Sequence, residues 1–163
     1  MSILRELGIP DAKGRGKEEL LYNLAYCYSL LEKTIERALA PYGLSAVKMN
    51  ALLIVKHVGG KAGMSQAEIT QRMIVSAGNV TRLVDRLERE DLVKRVAHRK
   101  DRRVNLICIT QKGSDLLTRA WPVYIQCLEN AIVISQDETR KITLGLEKVR
   151  VKMVETGQIR RIL

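Results

Sequence analysis

The chain has 163 residues, of which 46% are hydrophobic, and its 28 Lys or Arg against 18 Asp or Glu give a formal net charge of +10. This length accommodates one domain or one protomer of an intertwined dimer, with enough apolar residues for a sizeable core. The sequence pI near 9.8 implies a polyanionic partner, either nucleic acid or an anionic membrane surface. No apolar run reaches the roughly 18 residues of a membrane-spanning helix, and the N-terminus lacks the apolar segment of a signal peptide. We therefore expect a cytoplasmic protein.

The cysteines and histidines do not suggest a metal site or an active site. Cys27, Cys108 and Cys127 are widely spaced, with no C-x-x-C motif and no Cys/His cluster, so neither a metal nor any cofactor is expected. Free thiols of this kind usually behave as small buried hydrophobic side chains, and we expect that here. Neither His57 nor His98 stands in a Cys, Ser or Asp constellation suited to catalysis, which disfavours an enzyme.

The N-terminal part of the chain is predicted to be helical after a loosely held arm. Residues 1–16 contain a proline and glycines that interrupt any periodicity. Apolar residues at helical spacing predict a helix over 18–40, which a proline and a glycine close. A second helix is predicted over 46–57, and a glycine-rich turn follows it.

Two short helices are predicted next. In Ser65-Gln66-Ala67-Glu68 the Ser hydroxyl can accept from the amide three residues on while Glu68 reaches back, a capping box that starts a helix ending near Met73. Ser76 is the N-cap candidate of the following helix, whose apolar residues form one stripe: Val80, Leu83, Val84 and Leu87. Its opposite face is polar: Asn79, Arg82, Arg86 and Arg89. Two helices with a short turn between them, the second polar outside, predict a helix–turn–helix.

A basic run between two strand-like segments follows. Residues 92–97 and 104–110 are rich in β-branched and apolar side chains and indicate a hairpin. Between them lies His98-Arg99-Lys100-Asp101-Arg102-Arg103, and residues 94–103 hold six Lys or Arg and one Asp, half of the net charge. A basic cluster alone is usually a solvated loop. A basic hairpin tip after a candidate recognition helix instead indicates the wing of a DNA-binding winged helix.

Two long helices are predicted to complete the chain. Thr110 can cap a helix running to about residue 134, in which Pro122 should produce a kink or a division because proline removes an intrahelical hydrogen bond. Ser135-Gln136-Asp137-Glu138 is a second capping box, and the last helix is predicted to end near residue 155. A basic tail, residues 158–163, follows it.

The order of these elements and five stretches of sequence resemble the multiple antibiotic resistance regulator (MarR) family. The stretches are Pro41-Tyr42-Gly43-Leu44-Ser45, Val80-Thr81-Arg82-Leu83-Val84-Asp85-Arg86-Leu87-Glu88, Leu92-Val93-Lys94-Arg95, Asp101-Arg102-Arg103 and Ile109-Thr110-Gln111-Lys112-Gly113. The resemblance implies a mainly α fold with a small β-hairpin wing: a winged helix–turn–helix with long N- and C-terminal dimerisation helices. One departure is Asp91, which stands where the family usually has Gly. Such a position often needs the left-handed conformation, which Asp tolerates less well than Gly.

The resemblance implies one MarR-type domain over residues 1–163, with dimerisation helices at 18–42 and 112–156 and the DNA-binding winged helix–turn–helix at 46–110. It also implies a transcriptional regulator, expected to be a repressor, that binds a pseudo-palindromic operator as a homodimer. A single recognition helix and wing give too small a footprint for strong specificity, which also favours a dimer. The expected partners are double-stranded DNA and a second copy of the chain, with no membrane.

The candidate DNA contacts lie on the helix–turn–helix and the wing. Arg82 is the best candidate for a bidentate contact to guanine in the major groove. The resemblance implies that Arg103 reaches into the minor groove, while Asp101 orients the wing tip. The full set is Ser65, Gln66, Ser76, Gly78, Asn79, Thr81, Arg82, Arg86, Arg99, Arg102 and Arg103. The alternative for the helix arginines is a solvated face, paired three or four residues along with acids of the same helix: Asp85, Glu88 and Glu90.

An effector site and two other functions stay open. Small phenolic or aromatic acids are common effectors in the family, and the candidate pocket residues, each of which could instead be plain core, are Tyr26, Leu30, Met49, Leu53 and Trp121. A redox-sensing regulator using Cys27 is one alternative, although no basic residue within four positions favours the thiolate. A sequence-independent architectural DNA-binding protein is the other. The polar residues Ser76 and Asn79 favour base readout over the latter.

Overall fold

A computed structural model of the chain describes residues 2–9, 14–73, 77–98 and 105–156. Over these ranges the helices are α1 Ile3–Glu6, α2 Gly16–Leu39, α3 Ala46–Ile54, α4 Gln66–Arg72, α5 Ala77–Arg89, α6 Gln111–Ala131 and α7 Gln136–Glu155. The strands are β1 Met64–Ser65, β2 Val93–Ala97 and β3 Asn105–Ile109. A 3₁₀ turn, Ala40–Tyr42, continues α2, and a single π-helical turn, Val55–Gly59, continues α3. The mainly α fold with a β-hairpin wing is confirmed.

The N-terminal arm is more ordered than its composition predicts. Ile3 and Leu4 lie in α1, which packs against α2, and both side chains are buried. A four-residue helix is too short to form by propensity alone or to show periodicity in the sequence. Tertiary packing of two apolar side chains therefore holds this turn, and the prediction of a loosely held arm is wrong for residues 3–6.

The core is enclosed by the helix–turn–helix, the small sheet, α3 and the first half of α6. The predicted apolar stripe of α5 is buried, together with Leu52 of α3, Ile69 of α4 and Ile107 of β3. Burial of one whole stripe fixes the rotation of α5 about its axis, because the buried positions repeat every three or four residues. The polar side of α5 consequently faces outward.

The sheet has three strands, in the order β1–β3–β2, rather than the two that the sequence predicts. The two wing strands pair antiparallel from Val93↔Ile109 to Ala97↔Asn105, within a residue of the predicted bounds. The additional strand β1 is only two residues long and pairs with the other side of β3. Alternation of apolar and polar residues cannot show in two residues, so only tertiary contact reveals β1. Because α4 follows β1 directly, the sheet connects the wing strands to the start of the helix–turn–helix.

The joint between α5 and β2 is tightly packed. Asp91 has φ 59°, the left-handed conformation that the sequence predicts there, and is the one non-glycine residue with positive φ in the described ranges. The hydroxyl of Thr110 donates to the Asp91 carbonyl at 2.7 Å, and the same side chain caps α6 by accepting from the Gly113 amide at 3.0 Å. The start of α6 is thereby attached to Asp91, just after the end of α5.

Helix α6 continues through Pro122, so of the two outcomes predicted there, a kink or a division, the division is wrong. Proline removes one intrahelical hydrogen bond, but α6 packs along α2 and buries side chains on both sides of the proline, Leu117 and Cys127 among them. Packing over that length stabilises the helix more than the missing bond destabilises it. The helix ends at Ala131, earlier than predicted. The second capping box is confirmed at the start of α7.

Several side chains of the long helices are more exposed than expected. Of the cysteines, only Cys127 is buried as predicted, whereas Cys108 is half-buried and Cys27 is exposed. Cys27 lies in the stretch of α2 from residue 20 to residue 30, where the side chains are exposed almost all round the helix.

Within the described ranges no single helix is long and apolar enough to cross a membrane. The bent pair Gly16–Tyr42 and Ala46–Gly59, at 74° to each other, is long and apolar enough only when the two are taken together.

Candidate nucleic-acid interface

The start of α4 is fixed by the predicted capping box. Ser65 Oγ accepts from the Glu68 amide at 3.3 Å, and a Glu68 carboxylate oxygen accepts from the Ser65 amide at 2.7 Å and from its hydroxyl at 2.8 Å. Gln66 Nε2 then donates to Thr81 Oγ1 at 2.7 Å. This bond joins the first turn of α4 to the first turns of α5, so two side chains predicted to contact DNA lie together on the surface.

The capping box should make stability depend on pH. The hydrogen bonds that Glu68 accepts from Ser65, the backbone one first, lower the pKa of Glu68. A lowered folded-state pKa gives stability that is fully present above the unfolded-state pKa and is lost as pH falls through the folded-state pKa. Glu68→Gln should therefore lower the free energy of unfolding by up to about 1 kcal/mol at neutral pH, and this difference should vanish in acid.

Urea denaturation of both proteins between about pH 7 and pH 3 measures this difference. Glu129→Gln is the matched control, because Glu129 is an exposed glutamate of α6 outside any capping box. An unchanged difference between wild type and Glu68→Gln over the whole pH range would contradict the assignment of the pH dependence to the cap.

The outer face of α5 is cationic and carries three arginines. Arg82, Arg86 and Arg89 are exposed, as are Asn79 and Thr81. Within the described residues no ion pair joins any of the three arginines to an acid. The alternative interpretation, a solvated face, is therefore right about the exposure of the arginines and wrong about their pairing with acids of the same helix. The acids of the helix are bound by cations on other elements instead.

Two of these acids bind Arg95, on strand β2. Arg95 Nη2 lies 2.5 Å from an Asp85 carboxylate oxygen, and its Nη1 forms a second ion pair with Glu88. The backbone amide of Arg95 also donates to Glu88, at 3.2 Å. The bond to Asp85, followed by those to Glu88, raises the pKa of the Arg95 guanidinium. Sequence reasoning did not single out Arg95; two acids one turn apart, followed closely by a strand arginine, were the available signal.

The third acid, Glu90, binds Lys48 of α3. Lys48 Nζ lies 2.7 Å from both carboxylate oxygens of Glu90 and 3.0 Å from the Gly43 carbonyl oxygen, and the Lys48 side chain is only 11% exposed. On the other side, Lys112 Nζ of α6 donates to the Glu90 carbonyl at 2.7 Å. Glu90, the first residue after α5, is thus held from both α3 and α6.

The other predicted DNA contacts lie partly outside the described residues. Gly78 is exposed in the first turn of α5, and a Cβ placed there would meet nothing within 4 Å. Wing strands β2 and β3 stay paired up to Ala97 and Asn105. Four candidates lie outside the described ranges: Ser76, Arg99, Arg102 and Arg103.

The predicted effector residues differ widely in burial. Met49 is buried in the core, Leu53 packs against that core, and Tyr26 and Leu30 are exposed on α2. Trp121 is also exposed, with its ring centroid 5.6 Å from that of Tyr124. Two open clefts border α2: one of about 540 Å³ is lined by Glu32, Lys33, Glu36 and Arg37, and one of about 370 Å³ by Thr34, Ala38, Val123, Gln126, Cys127 and Asn130. Neither cleft includes a predicted effector residue.

Comparisons with known proteins agree with this geometry. The sequence model of the MarR family matches residues 42–104, from the end of the 3₁₀ turn through the helix–turn–helix and the wing. The transcriptional regulator MhqR of Bacillus subtilis is 27% identical over 132 residues, which cover 80% of this chain and 89% of MhqR. The transcriptional activatory protein BadR of Rhodopseudomonas palustris is 31% identical over 116 residues, which cover 71% of this chain and 64% of BadR.

Solved structures extend the similarity to the whole fold. The organohalide-sensing transcriptional regulator RdhR, in its form bound to 2,4-dichlorophenol, superposes with a TM-score of 0.76 at 19% identity. The superposition covers 83% of this chain and 80% of that one. The family model, the relatives and the solved structure agree with the helix–turn–helix and the paired wing strands. The chain has the sequence signature of the MarR family over residues 42–104 and the fold of that family's winged helix–turn–helix, DNA-binding transcriptional regulators.

Proposed function

We propose that the chain binds a specific pseudo-palindromic operator as a homodimer and represses transcription from it. The observation that carries this proposal is the arginine face of α5, which forms no ion pair within the described residues, since Asp85 and Glu88 are bound by Arg95 and Glu90 by Lys48. Cations that pair with their own helix would have to break those pairs before they contact DNA. Here the arginines need no such exchange, which favours a face prepared for a polyanion.

In the proposed complex the N-terminal half of α5 enters the major groove. Arg82 makes the bidentate contact to guanine, and Asn79 reads a neighbouring base or binds a phosphate. Gln66 and Thr81, already hydrogen-bonded to each other, contact the adjacent DNA backbone. Ser65 and Ser76 contact it as well. Gly78 allows close approach of the sugar-phosphate chain, since a side chain there would occupy open space on the DNA side.

The wing is proposed to bind beside the major-groove contact. Arg103 enters the adjacent minor groove, and Arg99 and Arg102 lie near phosphates, a role that rests on the basic sequence and the resemblance. The pairing of β2 and β3 up to Ala97 and Asn105 supports it, because the basic run begins directly after Ala97. Arg86 is proposed as a further phosphate contact on α5.

A second copy of the chain is proposed to cover α2 and α7, within the dimerisation helices 18–42 and 112–156. Helix α7 spans 20 residues without a buried side chain, although one face carries Ile142, Leu146, Val149 and Met153 at helical spacing. On α2 the exposed apolar residues include Leu20, Leu21, Leu24 and Leu30. Contiguous exposed apolar surface of this kind favours protein association. Cys27 lies within the same stretch of α2 and would be covered too, which disfavours redox sensing.

A small phenolic or aromatic ligand is proposed to act on this dimer. The support is the structural similarity to RdhR, which is solved with 2,4-dichlorophenol. The candidate residues Tyr26, Leu30, Met49, Leu53 and Trp121 would then be brought together by the second copy. A ligand that prefers one spacing of the two recognition helices shifts the population toward that spacing, and so changes operator affinity.

Binding selection from random duplexes at physiological salt tests the proposal. A homodimer should enrich one pseudo-palindrome whose half-sites lie about one helical turn apart. Transcription in vitro from a promoter that overlaps the enriched sequence should then fall when the protein is added. Strong, salt-dependent binding without an enriched sequence would instead identify an architectural DNA-binding protein.

Arg82→Ala should weaken binding to the selected operator by about 1–3 kcal/mol and relax discrimination at one base pair, because the bidentate contact to guanine is lost. Competition binding against operators substituted at each position measures both effects. Arg119→Ala removes the same charge from an exposed position on α6 and is the matched control. An equal loss on every duplex would make Arg82 a phosphate contact instead.

A further inference from the structure

Arg95 lies in the part of the sheet that joins the wing strands to β1. In the sheet Arg95 pairs with Ile107, and Ile107 pairs on its other side with Met64 of β1. Three strands therefore meet at the level of Arg95, and only Val96 and Ala97 separate it from the basic run. The direction in which the hairpin leaves the domain is set at this level.

At the same level Arg95 is bound to α5 from two directions. Its side chain reaches acids on successive turns of the helix, Asp85 and Glu88, and its backbone amide binds Glu88 as well. A planar guanidinium that binds two carboxylates has a fixed orientation, which a single lysine contact would not give. The Arg95 side chain is 26% exposed, so solvent screens these contacts less than it screens those of a fully exposed pair.

We propose that Arg95 is a positioning residue for DNA recognition: by binding Asp85 and Glu88 it fixes the angle between the recognition helix and the wing, so that both reach their grooves together. This inference rests on the proposed function, because it assumes that helix and wing contact one operator. Arg95 itself need not touch DNA. Its contribution arises from reducing the orientations that helix and wing must otherwise lose on binding.

A positioning role and a purely electrostatic role of Arg95 predict different effects on DNA binding when Glu88 is replaced. Glu88→Ala removes a negative charge from a helix that faces phosphates, so electrostatics alone should strengthen binding to every duplex. Positioning predicts that the preference for the operator over a scrambled duplex falls, since the wing keeps only the Asp85 ion pair with α5. Alanine has the best helix propensity, so the substitution does not weaken α5 as a helix.

The experiment measures the dissociation constants of Glu88→Ala and Arg95→Met for the selected operator and for a scrambled duplex of equal length, at one salt concentration. The two variants change the net charge in opposite directions. Both should lower the preference for the operator, by about ten-fold for Arg95→Met and by less for Glu88→Ala, because the first removes both ion pairs and the second only the one with Glu88. Glu129→Ala, which removes an exposed acid of α6, is the control and should keep the full preference.

The positioning role would be overturned if each variant changed its affinity for both duplexes by the same factor, with tighter binding for Glu88→Ala and weaker binding for Arg95→Met. Electrostatic attraction alone would then explain the effects. Circular dichroism and thermal unfolding without DNA check that the variants fold. Should Glu88→Ala fail to fold, Glu88→Gln, which can still accept from the Arg95 amide, should show a smaller loss of preference in the same direction. A wild-type protein without preference for any duplex would refute the proposed function itself, whereas preference kept by both variants would refute only the positioning role.

Discussion

Gly113→Ala should lower the free energy of unfolding by about 2 kcal/mol or more, although alanine is the better helix former by about 1 kcal/mol. A Cβ at residue 113 would lie 2.2 Å from the carbonyl oxygen of Leu92 and 3.1 Å from a side-chain carbon of Ile109. The Leu92 carbonyl already accepts from the Thr110 amide at 3.1 Å. Relief of the clash must therefore move backbone at the joint between α5 and β2, rather than a flexible side chain.

Urea denaturation without DNA measures the loss. Gly78→Ala is the matched control, since Gly78 lies in the first turn of α5 and its added methyl group would meet nothing within 4 Å. We expect Gly78→Ala to leave stability unchanged or to raise it by up to about 1 kcal/mol. Equal stabilities for the two variants would show that the first turn of α6 can shift away from the recognition helix at little cost.

Leu146→Asp should convert the proposed homodimer into monomers at micromolar concentration. Leu146 lies near the middle of the apolar face of α7, between Ile142 and Val149. Burying an uncompensated carboxylate costs about 3–5 kcal/mol, and a two-fold interface contains the substitution twice. The dimer dissociation constant should therefore rise by more than about a thousand-fold. Operator affinity should fall as well, because a monomer can bind only one half-site.

Sedimentation equilibrium over a concentration series measures the association, and binding to whole and half operators measures the consequence for DNA. Thr143→Asp places the same charge on α7 about a quarter turn away from that apolar face and is the control, which should remain dimeric. A Leu146→Asp protein that stays dimeric would show that the two copies meet elsewhere. In that case α7 could not set the spacing of the recognition helices.

Much of the fold was predictable because its signals are local. Both capping boxes lie within four residues of sequence, and the structure has them as predicted. The buried stripe of α5 repeats at helical spacing, so it also fixes which side chains face outward. The left-handed conformation of Asp91 follows from its position just beyond a helix end.

The parts that escaped prediction depend on contacts between distant segments. Strand β1 exists only because β3, about 40 residues later, passes beside it. Whether α6 would continue through Pro122 depended on how much of the helix packs against α2, which periodicity does not report. The partners of the α5 acids were mistaken for the same reason. Neighbouring arginines in sequence suggested pairs within the helix, whereas Arg95 and Lys48 come from other elements.

The double attachment of Glu90 has a consequence for regulation in the proposed dimer. Lys48 and Lys112 hold the end of the recognition helix to α3 and to the start of α6. Both contacts attach that end of α5 to its neighbours, so we expect a displacement of α6 to carry α5 with it. An effector acting through α6 would change the distance and angle between the two half-sites while leaving the set of bases read by each copy the same. Induction would then appear as a lower affinity for an unchanged operator sequence.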